Sequence, residues 1–590
     1  MRSRPASLLD NPAAPQPGYR IVEHEEWFYA VPEAFGPIDW NRWREVVQHP
    51  AVLAAPTREN LDLLLEDFDA ERLRAEALGE CDSYLLYRWQ GRCYGVPQAL
   101  GPVDLNDPFQ RNRPEMLSAP SEPALRERIA ARQTVRPVEF AGWLPVFRRF
   151  GNCGAHPQFN HTETPPTGFS FVRSGWVPPN PPAPIPRRPT WVRRLGTRLA
   201  LVGRAVSAVA TSVGMLARNT VRYGPRKVGK VLASVGRLYH HLRRQGCGLV
   251  PVLRFLHSRH FESQLMLPDD SPLVFFTSVP FTYGQRPWMI EVEDTTSLFY
   301  PFFHNGNTAH LQPRQLACWP VLRTMLEAPE CRAIVTHMRA TAESLPVLFD
   351  SPTIAAKTFH VPMGVELPPA VVDHDDDDIL DLLFTNSWHQ YAVGFQVRGG
   401  YEVLEAFSIL RKRYPHLRLT MRTALPTLVD RHVRMIEEGW VRIITRFLSP
   451  AEMHELQRRS HIYLLPAARI HIVSVLQAMA HGQAVVASDG WGFNEYVEGE
   501  RNCLVVPGRE KVAWMDPSCG LLREDYSSLR KPDPAMVGRL VDAISRLVED
   551  RALRKRLGGT ARADVAERFH LRQWNEGLTR VFEQVYPRSA

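Results

Sequence analysis

The alternation of apolar strands and helices after residue 379 constrains the fold more than any other feature of this 590-residue chain. Short runs rich in Val, Ile and Leu are separated by longer stretches with helical spacing. Strands that read as continuous apolar runs and are joined by helices are typical of parallel sheets covered on both faces. We therefore predict an α/β domain with a doubly wound sheet. Its predicted strands are 379–385, 417–422, 441–446, 462–465, 484–488 and 503–506, and its main helices are 401–414, 450–460, 472–480, 536–547 and 551–568.

A shorter series of the same type precedes this domain. The predicted strands are 273–277, 288–292, 333–336 and 358–361, with a helix near 313–326. The series is short for a complete parallel sheet, so we expect part of the sheet to be missing or supplied by upstream residues. The acidic run 375–378 then connects the two series. Adjacent side chains of a linker point in different directions, so we interpret the run as solvated and predict no metal.

A thirteen-residue motif occurs twice in the N-terminal region. Tyr29–Asn41 reads YAVPEAFGPIDWN, and Tyr94–Asn106 reads YGVPQALGPVDLN, with eight identical positions. Each copy follows a candidate β-hairpin, and Gln90-Gly91 gives the second hairpin a two-residue turn. We predict a small α+β accessory module with hairpin repeats at about 19–41 and 84–106, separated by a helical stretch at 51–78. Its aromatic residues either form the module's core, which we favour, or expose a binding surface.

A basic segment joins the module to the α/β region. Residues 164–261 contain 17 Lys and Arg and no Asp or Glu, although the whole chain carries only +8. The Pro-rich stretch 176–190 predicts an extended connector. Val and Leu then recur every three or four residues among the Arg residues of 191–245, and Gly224-Pro225 predicts a break between two helices.

The basic helices have two open interpretations. Their apolar face can pack on the next domain and leave the Arg face solvated, or it can lie on an anionic membrane surface. We predict no nucleic-acid partner, because no recognition motif accompanies the charge. Leu199–Ala217 is the best candidate for a membrane span, but it is short and contains Arg204. The eight Cys form no CxxC pair and the N-terminus lacks a signal-peptide core, so we expect a cytoplasmic protein, membrane-associated on the cytoplasmic face if the helices bind lipid.

The C-terminal half contains several characteristic sequence blocks in a fixed order. The blocks are HVPMGVE at His360–Glu366, RGGYEVLEAF at Arg398–Phe407, YLLP at Tyr463–Pro466, LQAMAHGQAVVASDGWG at Leu476–Gly492, then Glu495-Tyr-Val and Asn502-Cys-Leu-Val-Val. Through the order and spacing of these blocks, the sequence from about residue 271 onward resembles glycosyltransferases of the GT-B fold, of the family 4 type (glycosyl transferases group 1), whereas residues 1–250 do not match.

The resemblance implies two doubly wound Rossmann-like domains that face a cleft. The expected ranges are 1–165 for the accessory module, 166–250 for the linker and basic helices, 251–366 for the N-terminal, acceptor-side domain and 367–590 for the donor domain. It also implies transfer of a hexose from a nucleotide-diphosphate sugar to a hydroxyl acceptor, with retention of configuration and without a metal or other cofactor. If the basic helices bind the membrane, we expect a glycan or lipid-linked acceptor in a surface polysaccharide or glycolipid pathway.

The resemblance places the donor site around Arg398. Its guanidinium can bind a diphosphate through two parallel hydrogen bonds, and Gly399 and Gly400 let backbone N–H groups approach the phosphates at a helix start. Gly492 and Glu495 fall in the family's later blocks and complete the predicted site.

The predicted donor loop departs from the family pattern. Two Glu eight positions apart are usual, and the aligned positions are Arg469 and Gln477. Gln477 can still hydrogen-bond a ribose, and Arg469 can supply a second phosphate cation. His471 and Ser474 are close enough in sequence to reach the donor as well.

On the acceptor side, Glu293 and Asp294 fall where family members often carry His-Asp. A carboxylate there can accept the proton of the acceptor hydroxyl, or it can cap the next loop. The sequence thus predicts a glycosyltransferase. Two alternatives remain open, namely a catalytically silent GT-B scaffold and a membrane- or polyanion-binding protein that acts through the basic segment.

Overall fold

A computed structural model describes most of the chain from residue 272 to residue 586 and shorter pieces before it. The described ranges are 18–24, 27–33, 52–55, 75–89, 91–100, 116–131, 136–142, 165–172, 223–257, 272–277, 286–299, 306–368, 379–386, 392–445 and 450–586, with short pieces between them. The Pro-rich connector, the first basic stretch, the candidate membrane span up to residue 215 and the acidic run lie outside these ranges.

The first α/β domain contains a six-stranded, wholly parallel sheet with the order β13-β12-β11-β10-β8-β9. Its core packs the apolar faces of the strands against helices on both sides. Its strands are β8 (Arg136–Gly142), β9 (Phe169–Val172), β10 (Val274–Thr277), β11 (Trp288–Glu291), β12 (Cys331–Thr336) and β13 (Thr358–His360).

The second α/β domain contains another parallel six-stranded sheet, in the order β16-β15-β14-β17-β18-β19. The chain winds outward from β14 in one direction and returns beside it with β17, so the two strands mark the switch point where doubly wound folds bind ligands. Its strands are β14 (Leu380–Thr385), β15 (Leu417–Arg422), β16 (Val441–Ile444), β17 (Ile462–Leu465), β18 (Ala484–Ser488) and β19 (Leu504–Val506). The predicted doubly wound pair is confirmed.

Most of the described helices lie against the two large sheets, and a few lie earlier in the chain. They are α1 (Glu122–Ala131), α2 (Pro225–Arg244), α3 (Leu249–His257), α4 (Trp319–Glu327), α5 (Arg339–Phe349), α6 (Pro352–Lys357), α7 (Ala392–Val397), α8 (Gly400–Arg413), α9 (Asp430–Glu437), α10 (Pro450–Arg459), α11 (Ile472–Ala480), α12 (Pro534–Glu549), α13 (Arg551–Arg568) and α14 (Leu571–Val585).

The first sheet corrects the predicted domain ranges. Strands β8 and β9 lie at residues 136–142 and 169–172, in the ranges expected for the accessory module and the linker, yet β8 pairs directly with β10. These two strands stabilise the parallel sheet, because each added strand pairs with the open edge of its neighbour and covers it.

The C-terminal helix α14 also crosses the predicted boundary, because it packs on the first domain. The Phe582 ring contacts Phe169 and Phe275 at centroid distances of 5.2 and 5.5 Å. Asn575 donates to the carbonyl of Pro165 at 2.6 Å. Helix α14 therefore lies on the first domain and links the two domains a second time.

Both predicted hairpins are present with the same register. Strands β1 (Tyr19–His24) and β2 (Trp27–Pro32) pair Tyr19 with Pro32, and β5 (Tyr84–Trp89) and β6 (Arg92–Pro97) pair Tyr84 with Pro97. A third strand flanks each hairpin. These are β3 (Leu53–Ala55) and β7 (Leu117–Ala119), and β4 (Glu76–Cys81) adds to the second sheet.

The helical interpretation of 51–78 is therefore wrong at β3 and at the start of β4, because a hairpin alone is marginally stable and these residues supply its neighbours. The interpretation of the aromatic residues as core is confirmed where they are described. Tyr29, Trp89 and Tyr94 are buried, and the last two rings meet edge-on at 5.8 Å.

The second basic helix, α2, begins at Pro225 after Gly224, as predicted. Its Val and Leu face packs into the core of the first domain beside Phe255 and Val274, while its Arg face is exposed. The packing interpretation thus holds for this helix. Within the described ranges, no helix combines the length and the apolar character needed to cross a bilayer.

Candidate functional site

Arg398 lies in a tight turn between α7 and α8 at the switch point of the second sheet. Gly399 has φ 77°, and a Cβ atom there would lie 2.8 Å from Pro466 Cγ. A Cβ atom on Gly400 would lie 2.5 Å from the Phe395 ring. The two glycines thus let this turn approach the end of β17, which brings Arg398 next to the loop that follows β17.

We expect the substitution Gly399→Ala to destabilise the protein by about 2–3 kcal/mol. A left-handed backbone conformation is unfavourable for Ala, and its Cβ atom would clash with Pro466. Urea unfolding of the variant checks this. The matched control is Gly559→Ala in α13, where a Cβ atom meets open space and Ala favours the helix. Equal stability of the two variants would contradict the steric argument.

The Arg398 side chain is a buried cation without a carboxylate partner among the described residues. It is 7% exposed, its Nη1 donates to the carbonyl of Arg469 at 3.3 Å, and its Nε has no acceptor there. Burial, and then the charge of Arg469, lower the pKa of Arg398 to about 10. Because an uncompensated buried charge is unfavourable, this position fits an anionic ligand.

A hydrogen-bonded row of polar side chains runs along the carboxyl ends of β14 and β17. Thr385 Oγ1 and the Tyr463 hydroxyl are 2.6 Å apart, and His471 Nδ1 and Ser474 Oγ are also 2.6 Å apart. Burial raises the pKa of Tyr463 to about 12, so its phenol stays neutral. Gln477 lies one turn further along α11, partly exposed.

Arg469 joins the two domains through buried ion pairs. Its Nη2 lies 2.7 Å from Asp294 Oδ2 in the first domain, and its Nη1 lies 2.9 Å from Glu524 Oε1. Glu293 is more distant, at 3.6 Å, and 28% exposed. The structure thus brings the predicted residues Arg469, Glu293 and Asp294 together, but the guanidinium of Arg469 already has two carboxylate partners.

Asp294 is held from both sides. Besides the contact with Arg469, its Oδ1 accepts from the backbone N–H groups of Thr296 and Ser297 at 2.8 and 3.1 Å and from the Thr296 hydroxyl. Burial alone would raise the pKa of Asp294, but the guanidinium and the Thr296 bonds outweigh it and lower the pKa. The carboxylate is therefore ionised and caps the loop, as one of the two sequence interpretations expected.

The predicted donor residues Gly492 and Glu495 lie on the interdomain contact. Glu495 accepts from the backbone N–H groups of Arg339 and Ala340 at 2.6 and 2.9 Å, at the start of α5 in the first domain. Gly492 has φ 86°, and a Cβ atom there would lie 2.5 Å from Met338 Cε. These contacts, with the Arg469 pairs, show that the carboxyl edges of the two sheets face each other.

Sequence reasoning missed the carboxylates of Glu524 and Glu291 and the phenol of Tyr526 at this site. Glu524 and Tyr526 follow a hairpin of β20 (Ala513–Asp516) and β21 (Leu521–Glu524), for which no prediction was made. The alternating pattern around Asp516-Pro517-Ser518 was the available signal. Glu291 and His337 form a buried pair 2.9 Å apart, in which burial would lower the pKa of His337 but the Glu291 hydrogen bond raises it.

Among the described residues, no group of three or more His, Cys, Asp or Glu side chains could hold a metal ion. The site consists of a buried guanidinium, a glycine turn at a helix start and a row of hydrogen-bonding side chains, at the switch point of a doubly wound sheet. This arrangement defines an α/β protein with the geometry for binding a phosphorylated ligand.

Residues 392–524 match the family model for glycosyl transferases group 1, the family that the sequence motifs indicated. The match spans the Arg398 turn, the donor loop and the hairpin. No curated protein matches the chain.

Several solved structures resemble part of the chain. A glycosyltransferase from Rickettsia africae is 12% identical, with a TM-score of 0.37 over 54% of this chain and 77% of that one. Anabaena HepE in complex with UDP and glucose is 13% identical, with a TM-score of 0.37 over 56% and 81%. Sucrose-phosphate synthase from Thermosynechococcus elongatus is 16% identical, with a TM-score of 0.37 over 53% and 74%. At these values the likenesses carry no argument about substrate.

Proposed function

We propose that this protein transfers a hexose from a nucleotide-diphosphate sugar to a hydroxyl acceptor, with retention of configuration. The observation that carries the proposal is the buried, carboxylate-free guanidinium of Arg398 at the switch point of the second sheet. The family match over residues 392–524 supports the reaction class. Sugar transfer in a surface polysaccharide or glycolipid pathway fits the basic segment that precedes the first α/β domain's central strands.

The charge of the leaving group explains why the proposed reaction needs a guanidinium in the site. A departing nucleoside diphosphate develops negative charge, and a fixed cation in a water-poor site stabilises that charge. The start of α8, which Gly399 precedes, adds backbone N–H groups and the positive end of the helix dipole. With these groups in place, we propose that the reaction needs no metal.

The remaining predicted donor residues receive separate roles in this proposal. His471 and Ser474 hold each other at the start of α11 and offer hydrogen bonds to the sugar or phosphate. Gln477 offers its amide to the ribose. On the acceptor side, Asp294 is engaged by Arg469, so it positions that side chain, and the more exposed Glu293 accepts the hydrogen bond of the acceptor hydroxyl.

Thermal unfolding with UDP, GDP, TDP and CMP, at low and high salt, tests the proposal. A nucleotide at 100 times its dissociation constant stabilises its binding domain by about 2.7 kcal/mol, which shifts the midpoint visibly. A selective shift with one nucleotide supports the enzyme and identifies the base of its donor. No shift with any of the four would contradict the proposal and favour the catalytically silent scaffold.

We also propose that the protein attaches to the cytoplasmic face of an anionic membrane through α3 and the end of α2. Leu249, Val250 and Leu253 on α3 are 46%, 75% and 49% exposed, and Arg243 and Arg244 precede them. Exposed apolar side chains next to basic ones match the surface of an anionic bilayer.

The double substitution Val250→Asp/Leu253→Asp is expected to reduce binding to phosphatidylglycerol vesicles at least tenfold in a sedimentation assay. The loss is expected because the substitutions remove two exposed apolar side chains and add two negative charges. The control is Val429→Asp, a residue 52% exposed in the second domain. If both variants pellet like the unsubstituted protein, this surface does not bind the membrane.

A further inference from the structure

The hairpin of β20 and β21 belongs to the second domain by sequence but is bonded to the first. The backbone N–H of Leu522 donates to Thr295 Oγ1, and that of Glu524 donates to Thr308 Oγ1, both at 2.8 Å. Thr308 Oγ1 in turn donates to the carbonyl of Leu522 at 2.9 Å. In the described chain, β20 and β21 form a two-stranded sheet separate from both large sheets. The hairpin is thus a strap between the domains, which we call the strap (residues 513–526).

The end of the strap places a carboxylate in a nest of donors. Glu524 is fully buried and accepts from Arg469 Nη1 at 2.9 Å, from the Tyr526 hydroxyl at 2.5 Å and from the backbone N–H of Gly306 at 2.8 Å. A guanidinium, a phenol and a backbone N–H are also the groups that bind phosphate oxygens. Glu524 therefore occupies an anion site.

The same end of the strap lies beside the Arg398 turn. Tyr526 packs in a small apolar cluster with Val397, Val512 and Leu529, and its backbone N–H donates to the carbonyl of Gly306 at 3.2 Å. Val397 immediately precedes Arg398, so the strap ends next to the proposed diphosphate site.

The charges at this contact do not favour a further anion. The guanidinium of Arg469 already has three carboxylates within 3.6 Å, those of Glu293, Asp294 and Glu524. A diphosphate would add at least two negative charges to a cluster that is already net negative, unless one carboxylate leaves. Glu524 lies on a separate hairpin, so its departure breaks no strand pairing of the two large sheets, but opening the strap exposes Leu521 and Leu522, which are buried in the two cores.

We propose that the strap is autoinhibitory: Glu524 holds the anion site beside Arg398 and Arg469, and the donor's diphosphate must displace it. This inference rests on the proposed function, because it concerns access of the nucleotide-sugar to the same site. Displacement breaks the Thr295 and Thr308 bonds to the strap, so donor binding and opening of the domain contact are coupled.

The test titrates UDP, GDP and TDP calorimetrically into the full chain and into two variants that loosen the strap in different ways. Glu524→Gln removes the competing charge. Thr308→Val removes, from the first domain, the hydroxyl that bonds both Glu524 N–H and the Leu522 carbonyl. We expect each variant to bind the preferred nucleotide at least fivefold more tightly. The matched control, Glu510→Gln, changes the same charge on an exposed residue just before the strap and is expected to bind like the unsubstituted protein.

Hydrogen exchange adds a readout that does not depend on the variants' stability. In the unsubstituted protein, a saturating nucleotide is expected to speed exchange of the Leu522 and Glu524 amides, whose acceptors lie across the domain contact. If the full chain binds a nucleotide while both variants bind it equally or less tightly, and these amides stay protected, the strap is structural and the inference is wrong. If neither the full chain nor any variant binds a nucleotide, the proposed function fails and the inference fails with it.

Discussion

Replacing Arg398 by Ala is expected to weaken nucleoside diphosphate binding about 100-fold, equivalent to about 2.7 kcal/mol. The guanidinium is the one buried cation of the described site that has no carboxylate partner, and charge-assisted hydrogen bonds to phosphate contribute about 1.5–3 kcal/mol each. The substitution removes no ion pair from the free protein. We therefore expect its free energy of unfolding to stay the same or to rise, because the cost of burying the charge disappears.

Calorimetric titration together with urea unfolding measures both effects. Arg398→Lys keeps a charge but loses the planar fork, so its binding is expected to lie between those of the Ala variant and the unsubstituted protein. Arg418→Ala is the control. This residue is 59% exposed in the same domain and forms a surface ion pair with Asp381 at 3.0 Å. Unchanged nucleotide affinity in Arg398→Ala would remove Arg398 from the binding site.

The second α/β domain was predictable from local patterns because each of its strands is a short apolar run with a helix on either side. All six predicted strands occur in the structure, within one to two residues at their ends. The turn at Arg398 was predictable for the same reason, since Gly399 and Gly400 act within a few residues of sequence. Periodicity and glycine positions are local, and they specify local structure.

The first sheet was less predictable because its strands are distant in sequence. Strand β8 joins β10 across more than 130 residues, which include the basic segment, and no local pattern records such a pairing. The hairpin repeats show the contrast. Each hairpin forms from adjacent residues and was predicted, whereas its third strand lies further along the chain and was not.

The partners of Arg469 in the predicted donor loop were not predictable from local sequence either. The sequence identified Arg469 as the departure from the family pattern and gave it a phosphate-binding role. Its partners, Asp294 and Glu524, lie 175 and 55 residues away, and only the folded chain brings them together. A change of charge at one position is therefore matched by carboxylates contributed from two other segments.

This ion-pair cluster leads to the second large expected effect. Replacing Arg469 by Met is expected to lower the free energy of unfolding at neutral pH by about 3–5 kcal/mol, because Asp294 and Glu524 stay buried without their cation. Methionine replaces the arginine stem by another unbranched apolar side chain, so part of the packing is retained. Urea unfolding at pH 7.5 measures the loss, and the exposed Arg418→Ala pair, expected to cost at most about 1 kcal/mol, serves as the comparison.

The pH dependence separates this electrostatic loss from a packing defect. In the unsubstituted protein the pKa of Asp294 is lowered, so its contribution is present above the unfolded pKa of about 4 and is lost as pH falls through the folded pKa. In Arg469→Met the buried Asp294 lacks the cation, so burial raises its pKa and the folded state binds a proton at a higher pH than the unfolded state does. The stability difference between the two proteins should therefore shrink between pH 7.5 and pH 5. Adding Asp294→Asn to Arg469→Met is expected to restore part of the loss at pH 7.5. A difference that stays constant with pH, and that the second substitution does not reduce, would show that Arg469 stabilises the domain contact by packing and not by charge.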